Sequence, residues 1–260
     1  MRTSSVPIIL AIGLVVATAL PEKQERIVGG AETTIENYPY ISAILFSPNY
    51  ADYIQVCVGN VLNNRAILTV AHCFYGIEAL IRWRIRVGSS YANSGGNVHY
   101  PSRIIIHPNF SRPGFENDIA ILHSVYPFSF SNSVSAASIA GVNYNPGDDQ
   151  VVYNVGWGKE SVDQPNSEQL RSLQVLTINY NTCINIYIPV AIYPTENVIC
   201  SGWHDSSSGA NQCQGPSGSP LVHNGVIIGL YSFGWQCTYA NYPAINTKVS
   251  SYTSWIVSNA

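Results

Sequence analysis

The chain has 260 residues and a formal net charge of −3, and only 10% of its residues are charged. No basic cluster marks a nucleic-acid surface, and beyond the N-terminal segment no apolar stretch approaches the roughly 18 residues that a membrane helix needs. We therefore expect neither nucleic acid nor a membrane among its partners. No internal repeat recurs, and the length suits one compact folding unit.

The N-terminal segment has the features of a secretory signal. Arg2 supplies a positive start, residues 6–16 form an apolar run too short to span a bilayer, and Ala17-Thr18-Ala19 fits the small-residue rule for cleavage. We predict a signal peptide over residues 1–19 and a secreted, extracellular protein.

From Ile27 onward, short runs rich in Ile, Val and Tyr alternate with Asn, Gly and Pro. This spacing predicts an all-β barrel or sandwich. The predicted strands are 40–46, 54–58, 66–70, 81–87, 103–106, 150–155, 173–178, 198–200, 221–222, 226–231 and 244–247. Arg82, Arg84 and Arg86 alternate within one run, which we interpret as the exposed face of a strand.

The C-terminal segment has a different period. Val249, Tyr252, Trp255 and Ile256 fall on one face of a helix, so we predict a closing amphipathic helix.

Six cysteines in an exported chain predict three disulfides, although six cysteines allow 15 connectivities and their spacing selects none of them. A metal site or a free thiol is the weaker alternative, because the chain has no C-x-x-C pair and the His72–Cys73 neighbours lack a second pair. We predict no metal.

Three residues could together make a nucleophile. His72 lies in "TVAHC" directly after an apolar run, and Asp118 lies in "NDIAIL", where a carboxylate is costly unless it has a partner. Ser217 lies between Gly215 and Gly218, so that backbone N–H groups can approach a developing oxyanion. Each residue alone has an ordinary structural explanation, but together they supply the hydroxyl, the base and the acid that nucleophilic catalysis requires.

From Ile27 to its C-terminus the chain resembles the trypsin-like (chymotrypsin-family) serine peptidases, and its short propeptide is similar to that of insect digestive members. The resemblance is carried by "RIVGG" (26–30), "TVAHC", "NDIAIL", "GWG" (156–158), residues 213–220, "YSFG" (231–234) and "YPAINTKVSSYTSWI" (242–256). It implies two six-stranded antiparallel Greek-key barrels with a C-terminal helix, in a peptidase domain over residues 27–260. It also implies that the catalytic site lies in the cleft between the barrels, and that no cofactor is needed.

The resemblance implies a role for each matching position. Ser217 would be the nucleophile, His72 the general base and then acid, and Asp118 the residue that orients it. The backbone N–H groups of Gly215 and Ser217 would form the oxyanion hole. Further implied positions are the substrate-bordering residues Ser232 and Gly234, the pocket residues Asn211 and Ala244, the activation site Arg26–Ile27 after a propeptide over 20–26, and the disulfides Cys57–Cys73, Cys183–Cys200 and Cys213–Cys237.

Several positions depart from the family pattern. Pro216 stands where active relatives carry the aspartate that binds the new N-terminal ammonium, and Ser219 replaces a glycine. Asn211 replaces the acid at the base of a trypsin pocket, and Ala244 replaces a pocket glycine. We expect an uncharged substrate side chain at the P1 position, since Asn211 offers no counter-ion.

Two functions from different classes remain. The first is a secreted serine endopeptidase, made as a zymogen and with reduced activity; its partners would be protein or peptide substrates, an activating protease and protease inhibitors. The second is a non-catalytic homologue that acts as a binding or regulatory protein. We expect a monomer, with the gut lumen as the location that the digestive resemblance implies. "NFS" predicts a surface glycosylation site at Asn109.

Overall fold

The computed structural model describes residues 30–112, 114–158, 166–202, 215–234 and 242–260. The strands in these ranges form two sheets, in which all pairs except one are antiparallel. The signal and propeptide predictions, the Arg26–Ile27 site, Asn211 and the Cys213–Cys237 pair lie outside the described residues.

The first sheet is an antiparallel barrel. Its strands are β2 (Ile41–Phe46), β3 (Ile54–Val61), β4 (Ala66–Thr69), β5 (Trp83–Val87), β6 (Asn97–His99), β7 (Pro101–Ile106) and β8 (Ala120–Ser124). They lie in the order β6-β5-β2-β3-β4-β8-β7. Only Tyr100 separates β6 from β7, so the two act as one bent strand that pairs with β5 at its start and with β8 further on. This continuity closes a barrel of six strands.

The second sheet closes directly. Its strands are β1 (Ala31–Glu32), β9 (Ser138–Ile139), β10 (Val151–Gly156), β11 (Arg171–Ile178), β12 (Val198–Gly202), β13 (Pro220–His223), β14 (Val226–Phe233) and β15 (Ala244–Lys248). The order is β11-β10-β13-β14-β15-β12, and β12 pairs back onto β11. The short strands β1 and β9 attach to β11 and β14 from outside.

Both barrels use the same order of neighbours. Numbered within its own barrel, strand four lies beside strand one and strand three beside strand six, which is a Greek-key arrangement. The predicted all-β fold with two six-stranded barrels is therefore confirmed.

The two barrels share one apolar core. Leu68 and Ile121 of the first barrel belong to the same buried cluster as Val152 and Leu230 of the second. Because the core is continuous, residues on facing loops of the two barrels are held at fixed separations.

The C-terminal segment begins as a 3₁₀ turn, Val249–Ser251, and continues as the helix α2 (Thr253–Asn259). Val249, Tyr252 and Ile256 are buried in the shared core and Trp255 packs against it, so the predicted helix and its apolar face are confirmed.

One helix was not predicted. Helix α1 (Tyr180–Tyr187) begins after Asn179, whose side chain accepts hydrogen bonds from the N–H groups of Asn181 and Thr182. An asparagine that caps a helix N-terminus is a local signal for this helix. The helix was missed because the segment is rich in Tyr, Thr and Ile, which favour strands.

Strand β5 has the predicted alternation for Arg84 and Arg86, but Arg82 precedes the strand and lies in the 3₁₀ turn Leu80–Arg82. Trp83, Ile85 and Val87 are buried, whereas Arg84 and Arg86 point outward. Arg84 lies over the rings of Tyr53 and Tyr100, at 4.3 and 4.2 Å from their centroids, so this arginine covers aromatic surface. In the ranges that the structure describes, no helix is long and apolar enough to cross a membrane.

Candidate active site

His72 and Asp118 form a tightly bonded pair. The Nδ1 of His72 lies 2.7 Å from Oδ2 of Asp118, and the backbone N–H of His72 donates to Oδ1 of the same carboxylate at 2.9 Å. Two contacts fix both the position and the ring orientation of the histidine. Its Nε2 is left as the nitrogen that can exchange a proton with a substrate or nucleophile.

The position of His72 follows from its place in the chain. Strand β4 ends at Thr69, and His72 lies in the 3₁₀ turn Ala71–Cys73 that follows it. The Cys57–Cys73 disulfide ties this turn to β3, with 6.5 Å between the Cα atoms. The ring itself is 18% exposed, so it borders solvent while its backbone is anchored.

The Asp118 carboxylate is fully buried and accepts several hydrogen bonds. Besides the two bonds from His72, Oδ2 accepts a hydrogen bond from the hydroxyl of Ser232. Thr247 donates to the Asp118 backbone carbonyl at 2.8 Å. Asp118 lies in the first barrel's chain segment, and its last two partners come from strands β14 and β15 of the second.

The residue before Asp118, Asn117, is also held in place by its surroundings. Asn117 has a left-handed backbone, with φ of 53°, and its Oδ1 accepts a hydrogen bond from the Tyr252 hydroxyl at 3.1 Å. Burial, with the nearby charges of Glu116 and Asp118, raises the pKa of Tyr252 to about 12. The hydroxyl therefore keeps its proton over the physiological range and remains a donor.

The loop that carries Ser217 packs against the first barrel. The Ser217 carbonyl accepts a hydrogen bond from the N–H of Val58 at 2.8 Å. Gly218 has φ of 89°, and a Cβ there would lie 2.1 Å from the carbonyl oxygen of Val58 and 2.6 Å from the hydroxyl of Thr69. Thr69 immediately precedes the turn of His72, so the structure brings the loop to the histidine. Among the described residues, neither the Ser217 hydroxyl nor His72 Nε2 has a hydrogen-bond partner.

The other end of the loop meets β10. The N–H of Gly215 donates to Oδ1 of Asn154 at 3.1 Å, and the Pro216 carbonyl accepts the N–H of Ser219 at 3.0 Å. The predicted oxyanion donor Gly215 is thus already engaged by a side chain. The sequence interpretation missed Asn154, although a polar residue inside the apolar run 150–155 was a signal for it.

The two residues expected to border the substrate differ in their exposure to solvent. Ser232 is buried against Asp118, whereas Gly234 is exposed. Phe233 packs on Phe115, with 5.2 Å between the ring centroids, and Phe115 contacts the His72 ring edge to face at 5.3 Å. Two aromatic rings therefore form a wall beside the histidine.

Ala244 and Asn246 lie on one face of β15, since strand side chains alternate. Both are buried, and the Asn246 amide donates to the Ile199 carbonyl at 3.1 Å and to the Ser201 hydroxyl at 3.0 Å. Among the described residues its Oδ1 has no partner. Asn246 was missed from the sequence, and it is a buried polar residue on the same face of β15 as Ala244.

An acid, an imidazole and a serine loop that meet where two Greek-key barrels pack together are the arrangement of the trypsin-like serine peptidases. Comparison with known proteins agrees, because the model of the Trypsin family matches residues 27–256, and the chain belongs to that family.

The relatives include insect proteins that match almost end to end. The chain is 48% identical to "Trypsin, alkaline C" of Manduca sexta, with 97% of this chain and 98% of that protein covered. It is 50% identical to "Trypsin CFT-1" of Choristoneura fumiferana, with the same coverage. "Trypsin alpha" of Drosophila melanogaster is 33% identical, with 95% and 93% covered. The resemblance to insect members is confirmed.

Proposed function

We propose that this serine endopeptidase is secreted, is made as a zymogen and hydrolyses peptide bonds through an acyl-enzyme on Ser217, with reduced activity. The observation that carries the proposal is the double hydrogen bond between His72 and the buried carboxylate of Asp118. A buried acid that accepts both N–H groups of one histidine has the geometry that keeps Nε2 free to act as a base.

In the proposed reaction, Ser217 Oγ attacks the carbonyl carbon of the substrate while His72 Nε2 takes its proton. The C=O electron pair moves onto oxygen, which gives a tetrahedral oxyanion. The C–N bond then breaks, and His72 gives the proton to the departing amine. Water repeats the sequence on the ester, with His72 again as base and then acid, and releases the acid product and free Ser217.

Reduced activity follows from the nucleophile loop. Pro216 offers no carboxylate, so a buried N-terminal ammonium would lack its counter-charge, and the loss of one partner of such a pair costs about 3–5 kcal/mol. The Gly215 N–H is bonded to Asn154 rather than left for an oxyanion. Complete loss of one oxyanion donor lowers the rate by a factor on the order of 10²–10³, and this is the upper limit for a donor that is withheld only part of the time.

The proposed substrates are proteins or peptides with an uncharged P1 residue, because Asn211 carries no charge and Ala244 adds a methyl group to the pocket. We further propose an activating protease that cuts at Arg26–Ile27, inhibition by protease inhibitors, a monomeric state and, from the resemblance to insect digestive members, the gut lumen as location. Asn109, the proposed glycosylation site, is exposed in a turn.

The test is active-site labelling of the purified mature protein with a fluorophosphonate. A covalent adduct on Ser217, absent from Ser217→Ala and slowed in His72→Ala, is the expected result. Without an adduct in folded protein, the catalytic proposal would be wrong.

The second candidate is a non-catalytic homologue that binds a partner through the same cleft. The engagement of Gly215 by Asn154 favours it, because that conformation offers an oxyanion only the Ser217 N–H. The same labelling experiment separates the two functions, since a homologue without catalysis leaves Ser217 unmodified.

A further inference from the structure

Asn154 touches the nucleophile loop but takes no part in the bond-making and proton-transfer steps above. Its side chain is 3% exposed and lies within β10, between the buried apolar residues Val152 and Val155. Its Oδ1 accepts the N–H of Gly215 at 3.1 Å. An N–H group has one hydrogen, so in this conformation that hydrogen is directed at the asparagine and away from any substrate oxygen.

The orientation of the Asn154 amide is fixed by this contact. If the amide were flipped, its NH₂ would face the N–H of Gly215, donor against donor. The carbonyl oxygen therefore points at the loop. Nδ2 is buried and has no hydrogen-bond partner among the described residues.

The loop lies directly on β10. A Cβ on Gly215 would come within 2.5 Å of the Ser219 hydroxyl, and one on Gly156 would come within 2.4 Å of it. The Ser219 hydroxyl is also buried and without a partner among the described residues. This arrangement thus satisfies the Gly215 N–H, although two other polar groups beneath the loop have no hydrogen-bond partner among the described residues. A buried polar group without a partner costs free energy, so this conformation is held only weakly.

We propose that Asn154 is a positioning residue that withholds the Gly215 N–H from the oxyanion in the resting enzyme. Turnover then requires this N–H to move from the neutral amide oxygen of Asn154 to the substrate oxygen as that oxygen becomes negative. The transfer is favourable in the transition state, because a bond to an ionised acceptor is stronger than one to an amide. In the ground state only the fraction of molecules with a released N–H is competent.

The inference rests on the proposed function, and it makes Asn154 and Pro216 separate causes of low activity. Pro216 removes the charge that would order the loop. Asn154 supplies an acceptor that holds the loop in the unproductive arrangement.

The experiment compares two substitutions that act in opposite directions. Asn154→Leu keeps the branched shape and removes the acceptor, so kcat should rise about 2- to 13-fold with KM unchanged, the factor that corresponds to one net hydrogen bond of 0.5–1.5 kcal/mol. Asn154→Asp supplies a stronger acceptor when ionised, so the ratio of its kcat to that of the natural protein at the same pH should lie below one in alkali. The ratio should rise as the pH is lowered and the carboxyl gains a proton, and comparison at equal pH cancels the titration of His72.

Thr177→Val is the matched control. Thr177 is also buried on a strand of the second barrel and donates to the Gly147 carbonyl at 2.9 Å, away from the nucleophile loop. It should lower the melting temperature and leave kcat unchanged, which separates loss of a buried hydrogen bond from release of Gly215.

A peptidyl trifluoromethyl ketone provides a readout without turnover, because its adduct with Ser217 carries an oxyanion. The inhibition constant of this compound should be lower for Asn154→Leu than for the natural protein, by the same factor by which kcat rises. If folded Asn154→Leu shows no gain in either measurement, or if both Asn154 variants change kcat in the same direction, the inference is wrong. Fluorophosphonate labelling of the natural protein decides the proposed function independently of this result.

Discussion

The carbonyl oxygen of Ser217 accepts a hydrogen bond from the N–H of Val58, so a loop of the second barrel is fastened to a strand of the first. Val58 follows Cys57, and Cys57 is bonded to Cys73 beside His72. A short path of covalent and hydrogen bonds therefore connects the proposed nucleophile to the proposed base. Substitutions along this path should affect activity as well as stability.

Gly218→Ala should disrupt this connection. Its φ of 89° is unfavourable for alanine, and the new Cβ would lie 2.1 Å from the Val58 carbonyl oxygen. Gly225→Ala is the matched control, because Gly225 has φ of 77° but nothing within 4 Å of the Cβ position. Backbone strain alone costs about 1–2 kcal/mol. Urea unfolding should show that loss for Gly225→Ala and a larger one for Gly218→Ala, and only Gly218→Ala should lose peptidase activity.

Asp118→Asn should lower kcat by a factor on the order of 10⁴, because an amide no longer holds the histidine in the productive tautomer. Ser232→Ala should cost less, since it removes one of three side-chain and backbone hydrogen bonds to the carboxylate and leaves both from His72. Steady-state kinetics on one peptide substrate compare the two variants. An equal loss in both would mean that Ser232, and not the acid itself, sets the orientation of His72.

Cleavage at Arg26–Ile27 should change the rate and the melting temperature of the natural protein only slightly, because Pro216 cannot bind the new ammonium. Pro216→Asp should restore the coupling, so that the cleaved variant gains about 10²-fold in rate, the worth of one oxyanion donor. The gain must vanish in Pro216→Asp with Ser217→Ala, and uncut Pro216→Asp must stay weak. A large gain in the natural protein on cleavage would show that another group meets the ammonium.

The pocket should prefer uncharged P1 residues. Asn211→Asp should shift the preference toward Arg and Lys, and the addition of Ala244→Gly should complete the shift, because Ala244 is buried and its methyl group takes up space on that strand. Cleavage of a peptide library measures the P1 preference of the natural protein and of both variants. If the natural protein already cuts mainly after Arg or Lys, the assignment of Asn211 to the pocket base is contradicted.

Stability should fall in acid partly through His107. Its ring packs on Tyr252 and Trp255, with 5.5 and 5.1 Å between ring centroids, and burial lowers its pKa in the folded protein. The unfolded chain then binds a proton more readily than the folded one, so the contribution is complete above the ordinary histidine pKa of about 6.5 and is lost as pH falls through the lower, folded value. Melting temperatures between pH 8 and pH 5 should decline less steeply in His107→Phe. An unchanged slope would contradict the prediction.

The sequence by itself determined most of the strands, the closing helix and the family, but not the short strands β1, β6 and β9. Alternation of apolar and polar residues in β5 and the helical period of Val249, Tyr252 and Ile256 are local patterns, and burial follows directly from them. His72, Asp118 and Ser217 were found because each lies in a short run that is recognisable without its partners. Strand β3 ran past its predicted end because Gly59, a turn residue by type, pairs with Ser42 in β2.

Only the tertiary structure decided which atoms these residues meet. The bonds from Gly215 to Asn154 and from Val58 to Ser217 join segments far apart in the chain, and no local pattern specifies a pair whose members are brought together by barrel closure. Ser232 likewise was expected beside the substrate and proved to donate to Asp118. A hydrogen bond depends on the position and direction of both partners, and those are fixed only when the two barrels pack on their common core.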